Sequence, residues 1–221
     1  MKKTIALATV LLSSAAVSSL FAQGQVQWGN QFTGNLAARV YAPEPTDSQR
    51  RLTGNVAGPA GIPAGTTVYG GAVLQGTGFT MGLFLGNSAA EAAAATTALA
   101  TAAFRTGNAA GFVSSQTYTD PNRLPGTTGV NVQFRAWNNL GGTVTSWAQV
   151  MARSMAGDPS IQAGFSDPFT IGPMGGALPP DVFTVPNTLG ARSFNLTQVP
   201  EPSLIALGAL GLGALLLRRR K

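Results

Sequence analysis

The chain has 221 residues, 44% hydrophobic and only 10% charged, with 28 Gly, 14 Pro, no Cys and no His. The missing His and Cys remove the commonest general base, the commonest transition-metal ligand, disulfides and thiolate chemistry. The formal net charge of +6 sits at the ends of the chain. Residues 23–199 hold eight Arg, seven Asp or Glu and no Lys, so no basic face for nucleic acid can form there.

Met1-Lys2-Lys3 supplies a positive start, and Ile5 to Val17 an apolar run broken only by Thr and Ser. Small residues follow at Ser18, Ser19 and Ala22. This is the anatomy of a secretory signal peptide over residues 1–22, with cleavage by signal peptidase expected between Ala22 and Gln23. Export makes the absence of Cys meaningful, because the fold then has no cross-link in an oxidising compartment.

Residues 23–199 read as one body with a single core. Short apolar alternations separated by Gly, Pro, Asn and Asp predict an all-β fold, a β-sandwich or jelly roll with one or two short helices. Strands are expected at Gln25–Trp28, Leu36–Tyr41, Thr67–Leu74, Phe79–Leu85, Val130–Trp137, Phe165–Ile171 and Arg192–Thr197. Residues 43–65, with Pro43, Pro45, Pro59 and Pro63, read as a long irregular connection. Ser88–Ala103 is rich in Ala, with Glu91 near its start, and reads either as helix or as low-complexity loop. Trp147, Val150, Met151, Ser154 and Met155 fall at helical spacing, so Ser146–Ala156 is expected as a short helix packed on the sandwich.

The clearest strand alternates. Val130, Val132, Phe134 and Ala136 share one face, and Asn131, Gln133, Arg135 and Trp137 the other. Arg135 and Trp137 on that second face are the candidate contacts for a glycan, the indole stacking on a sugar ring with the guanidinium against it. The competing reading has the helix around Trp147 cover this face and bury Trp137 as core.

The carboxylates give little chemistry. Asp120, Asp158 and Asp167 each precede a proline, where turns select them, and Glu44 and Asp47 lie in the proline-rich connection. A glycosidase needs two carboxyls facing each other across a cleft. No G-x-S-x-G elbow, phosphate loop or EF-hand pattern occurs. No cofactor, metal or catalytic residue is assigned, and the expectation is a protein that is not an enzyme.

The C-terminus has three parts: Pro200-Glu201-Pro202, an apolar stretch over Ser203–Leu217, and Arg218-Arg219-Arg220-Lys221. As a helix the 203–217 stretch spans roughly 22 Å, short against a bilayer core of about 30 Å. The basic cluster stays on the cytoplasmic side by the positive-inside rule, leaving the body outside. Read together, these residues resemble the PEP-CTERM sorting signal, the tail processed by exosortases. That resemblance implies a precursor anchored in the inner membrane through residues 203–217, then processed for the cell surface or the extracellular matrix. It divides the chain into a signal peptide at 1–22, the body at 23–199 and the sorting signal at 200–221. More faintly, Val132-Gln133-Phe134-Arg135-Ala136-Trp137 and the Phe165–Ile171 segment resemble exported PEP-CTERM paralogues of Verrucomicrobia-like bacteria. Those are uncharacterised β-rich domains, so this second resemblance implies no active residue. The function expected is that of a non-enzymatic surface or matrix protein associated with biofilm or exopolysaccharide. The alternatives are a carbohydrate-binding module for matrix glycans and, behind it, a secreted carboxylate-dependent hydrolase.

Overall fold

The computed structural model describes residues 23–176 and 190–198. The expected signal helix at 1–22 with Ala22, the sorting segment at 200–221 and Asp181 lie outside the described residues. In chain order the elements are β1 (Gly24–Trp28), β2 (Gln31–Phe32), β3 (Leu36–Ala37), β4 (Val40–Tyr41), β5 (Gly76–Gly86), α1 (Ala89–Ala94), β6 (Ala100–Phe104), β7 (Gln116–Asp120), β8 (Asn131–Asn138), α2 (Trp147–Met155), β9 (Gln162–Phe165), β10 (Phe169–Thr170), β11 (Phe194–Asn195) and β12 (Thr197–Gln198).

The described chain is mostly strand with few helices. Its backbone is a six-stranded sheet in the order β12–β9–β8–β5–β6, with β10 also paired to β8. Every pairing within it is antiparallel. Three two-stranded ladders complete the strands: β1 with β7, β2 with β3, and β4 with β11. The last of these is parallel.

Alternation along the two central strands sends side chains to two different cores. Met81, Leu83 and Leu85 of β5 and Val132, Phe134 and Ala136 of β8 enter the larger one. There they meet Val26 and Trp28 of β1, Val40 of β4 and Phe194 of β11, so the short ladders form the layer over that face. The Trp28 and Phe134 rings lie 6.2 Å apart. The other face carries Phe84 of β5 and Trp137 of β8, which pack with Val144, Ile161, and Trp147 and Val150 of α2.

Glycine sets how closely the helices approach this second face. A side-chain carbon on Gly86 would lie 2.3 Å from the backbone nitrogen of Ala92 in α1, and one on Gly82 would lie 3.2 Å from the Trp137 ring. Gly82, Phe84 and Gly86 thus make a strand face with one large side chain and two gaps, into which α1 and Trp137 fit.

Buried amides hold the irregular segments. Asn30 donates to the carbonyls of Ala38 at 2.7 Å and Gly111 at 2.8 Å, and accepts from the Val113 N–H at 2.9 Å. Asn55 donates to the Pro63 carbonyl and accepts from the Ser193 N–H. Asn195 donates to Arg50 and accepts from Leu52. The expected irregular connection at 43–65 is therefore pinned at both Arg50–Leu52 and Asn55. A stacked pair, Tyr41 and Tyr69 with ring centroids 4.1 Å apart, lies beside it. The Tyr69 hydroxyl sits 2.8 Å from the Gly54 and Ser193 carbonyl oxygens.

Several expectations need correction. Thr67–Leu74 forms no strand; it runs irregularly, with one bridge from Val73 to Tyr41. Phe165–Ile171 is not one strand, because Asp167-Pro168 separates β9 from β10. Ser88–Ala103 is both helix and strand: α1 ends at Ala94, and Ala100–Phe104 pairs with β5 as β6. Met151 and Met155 do not pack on the sheet, being 42% and 79% exposed.

Two outcomes test this account. Gly86→Ala should lower unfolding stability by about 1–3 kcal/mol, whereas Gly78→Ala, with nothing within 4 Å of the added carbon, should leave the urea midpoint nearly unchanged. Burial raises the Tyr69 and Tyr41 hydroxyls above their ordinary range. An acid raised in the folded state gives stability that is full below the unfolded pKa of about 10 and is lost as pH rises beyond it. Urea midpoints should therefore fall above pH ~10, and Tyr69→Phe should make that fall shallower.

Candidate functional site

The second face of the large sheet is the most elaborated part of the described structure, and Arg135 stands at its centre. Strand alternation points Arg135 from β8 toward the helices, where it is only 3% exposed. Its Nε donates to the Gln133 side-chain oxygen at 2.8 Å. Its Nη1 donates to the Ala95 carbonyl at 2.7 Å, and Nη2 to those of Ala92 and Ala93 at 2.8 and 2.9 Å. These carbonyls belong to the last turn of α1, the negative end of the helix dipole. The guanidinium also lies 4.0 Å from the Phe84 ring centroid and 5.0 Å from that of Trp147.

A buried cation without a carboxylate partner is unusual. Here the charge is met by helix-end carbonyls and aromatic faces, and Arg135 takes part in none of the described ion pairs. Desolvation pulls its pKa down to about 10, which still leaves it protonated at physiological pH.

Both helices are built for their places. Ser88 caps α1 by accepting from the Glu91 N–H at 3.1 Å, and the Glu91 carboxylate accepts from the Asn87 N–H at 2.7 Å. Ser146 and Gln149 form a capping box at the start of α2. The Trp147 ring meets Phe84 and Trp137 edge-on, at 6.1 and 5.9 Å. Trp137 has no exposed surface, and its indole N–H donates to the Val144 carbonyl at 3.1 Å.

This geometry corrects the glycan-contact expectation. An indole without exposed surface offers no face to a sugar ring, and α2 is what covers it. The supposed polar face of β8 is an interior one, with Gln133, Arg135 and Trp137 all buried.

Two cavities flank α2. One of about 290 Å³ is lined by Ala93–Thr96 of the α1 end, by Gln133 and Arg135, and by Trp147, Met151 and Phe165. The other, of about 240 Å³, lies between α2 and the β9–β12 edge and shares Trp147, Met151 and Phe165. The shared residues make them neighbouring parts of one groove. Its rim is apolar: Met151 is 42% and Phe165 39% exposed. Arg51 lies over the Phe165 ring at 4.4 Å and pairs with Asp167 at 2.8 Å.

The described carboxylates are engaged in local structure. Glu44 accepts from the Gly70 N–H, Asp47 from Gln49, and Asp120 from Arg123 and the Asn122 N–H. Hydrogen bonds from the Ser160 hydroxyl and N–H hold Asp158 below the usual carboxylate range, with Arg153 adding to them. No group of three or more metal-ligating side chains occurs among the described residues.

Sequence reasoning found Arg135 and Trp137 but not their surroundings. The groove residues Phe165, Thr197 and Gln198 and the α1 carbonyls were unassigned. The Ser88-x-x-Glu91 spacing was the available signal that a helix starts there; that a guanidinium would end it depends on tertiary placement.

The family model described as the PEP-CTERM protein-sorting motif matches residues 198–221. That motif marks an exported protein, anchored as a precursor and processed by an exosortase. Comparisons with curated proteins and with solved structures give no match.

Removing the guanidinium tests its structural role. Arg135→Met should cost about 2–4 kcal/mol by leaving helix-end carbonyls without donors, and Arg135→Lys should recover little because one ammonium cannot span four acceptors. Amide exchange over α1 should accelerate more than over β8, which a general loss of stability would not produce.

Proposed function

We propose that this chain is a non-enzymatic passenger, exported, held in the inner membrane through residues 203–217, and processed by an exosortase for the cell surface or extracellular matrix. The match to the sorting motif at residues 198–221 carries the reading. Support comes from the body, whose described carboxylates each accept from backbone N–H groups, a hydroxyl or arginines. His and Cys, the other usual carriers of acid–base and nucleophilic chemistry, do not occur in the chain.

Signal peptidase and the exosortase are the processing partners in this reading. Signal peptidase cuts between Ala22 and Gln23. The exosortase reads Pro200-Glu201-Pro202 with the closing Arg218–Lys221 cluster. The fainter likeness of the body to exported paralogues of Verrucomicrobia-like bacteria agrees with a passenger carried by a common export route. A matrix setting makes exopolysaccharide a neighbour of the mature protein, without Trp137 as a contact.

Fractionation of wild-type and exosortase-deleted cells tests the processing. Immunoblots should show a shorter form at the surface or in the medium of wild-type cells, and the longer precursor in the membrane of the deleted strain. The same full-length band in the membranes of both strains would overturn it.

A further inference from the structure

The sorting tail leaves the described fold at a particular corner. Gln198, the last residue of β12, lines the second cavity beside Val150, Met151 and Phe165. Its N–H donates to the Ser48 carbonyl at 2.8 Å, and its side-chain amide to Pro159 at 2.9 Å, so the exit point is fixed. From Gln198 to Leu204, the first large apolar side chain of the 203–217 stretch, the chain reaches roughly 20 Å when fully extended. Insertion of that stretch into a bilayer therefore brings the β12–α2 corner within that distance of the headgroups.

That corner carries exposed apolar surface. Met151 is 42% exposed and Met155 79%, and residues four apart on a helix share one stripe. Phe165, 39% exposed, lines the groove together with Met151. Trp147 and Val150, on the same side of α2, are buried on the sheet, so Met151 and Met155 carry that apolar face out past the edge of the packed contact. Methionine is flexible and polarisable, suited to an irregular, deformable partner. Of the exposed arginines at this corner, Arg51 pairs with Asp167 and Arg153 with Asp158, while Arg50 takes part in none of the described ion pairs.

We infer that Met151 and Met155, at the edge of the buried face of α2, and Phe165 seat the body against the lipid surface of the membrane while the precursor is anchored. The inference rests on the anchoring reading above and adds to it an orientation: the α2 side faces the bilayer, and the β1–β7 ladder, in the layer across the large sheet, faces away.

The chain has no Cys, so Met155→Cys, Leu124→Cys and Ala206→Cys can each carry one environment-sensitive fluorophore. Leu124 is 63% exposed and follows β7 in the far layer. The precursors, purified from membranes of exosortase-deleted cells, are placed in phosphatidylethanolamine–phosphatidylglycerol vesicles with or without acyl chains brominated near the headgroup. Labels at 155 and 206 should shift to the blue and lose emission with brominated lipid, and the label at 124 should do neither. Quenching at 206 without quenching at 155, or equal quenching at 155 and 124, overturns the seating and leaves anchoring intact. No quenching at 206 overturns anchoring, and the seating with it.

Discussion

One guanidinium joins the helical layer to the sheet. Arg135 reaches through the second face of β8 to take three carbonyls at the end of α1, while its flat sides lie near Phe84 and Trp147. Burying that charge is unfavourable by itself. It becomes tolerable because the partners are already ordered: a helix end whose carbonyls need donors, and two rings with negative faces. Only arginine offers several donors in one rigid plane together with a surface that stacks. The placement of α1, the end of α1 at Ala94 and the position of Trp147 are thus one connected problem with one residue at its hub.

The strand beside it makes the arrangement possible. β5 would be a conventional half-buried strand if its second face were polar. Instead that face carries Gly82, Phe84 and Gly86, so backbone and indole approach where side chains would otherwise stand. The result is a sheet buried on both faces over its central strands, which favours apolar runs rather than alternation of polar and apolar residues. This is why Gln133 and Arg135 misread as a solvent face: their polarity serves partners inside the protein. Gln133 donates to the Ser166 carbonyl and accepts from Arg135.

The general character of the fold was legible from the chain. β-rich texture, punctuated by turn residues, predicted the strands at Gln25–Trp28, Phe79–Leu85 and Val130–Trp137, each of which overlaps an observed strand. The helical spacing around Trp147 marked α2. What could not be read was pairing. Ala100–Phe104 has the composition of a helix and becomes β6 because β5 offers it an open edge. Thr67–Leu74 has the composition of a strand and stays irregular, with Tyr69 fixed to the carbonyls of Gly54 and Ser193. The groove shows the same limit: its walls come from Ala93–Thr96, Gln133 and Arg135, one side of α2, Ala163 and Phe165, and Thr197–Gln198, and local pattern cannot announce that these meet. The candidate pair Arg135 and Trp137 was correctly placed on one face, but which layer covers that face is decided by α2.

An exported chain without cysteine has to hold long irregular segments by other means, and the buried asparagines supply them. Each of Asn30, Asn55 and Asn195 both donates and accepts, satisfying backbone groups that have no ladder partner. Such amides act as cross-links that need no oxidant, and each is costly to remove because its partners would be left buried and unpaired. They also bear on processing. Asn195 and the fully buried Leu196 secure the chain two residues before β12 ends, and the hydrogen bonds of Gln198 to Ser48 and Pro159 close it off. A cut near Pro200 therefore falls beyond the last of these anchors. It severs none of the described core packing or hydrogen bonds, so a body that is folded while tethered can be released without having to refold.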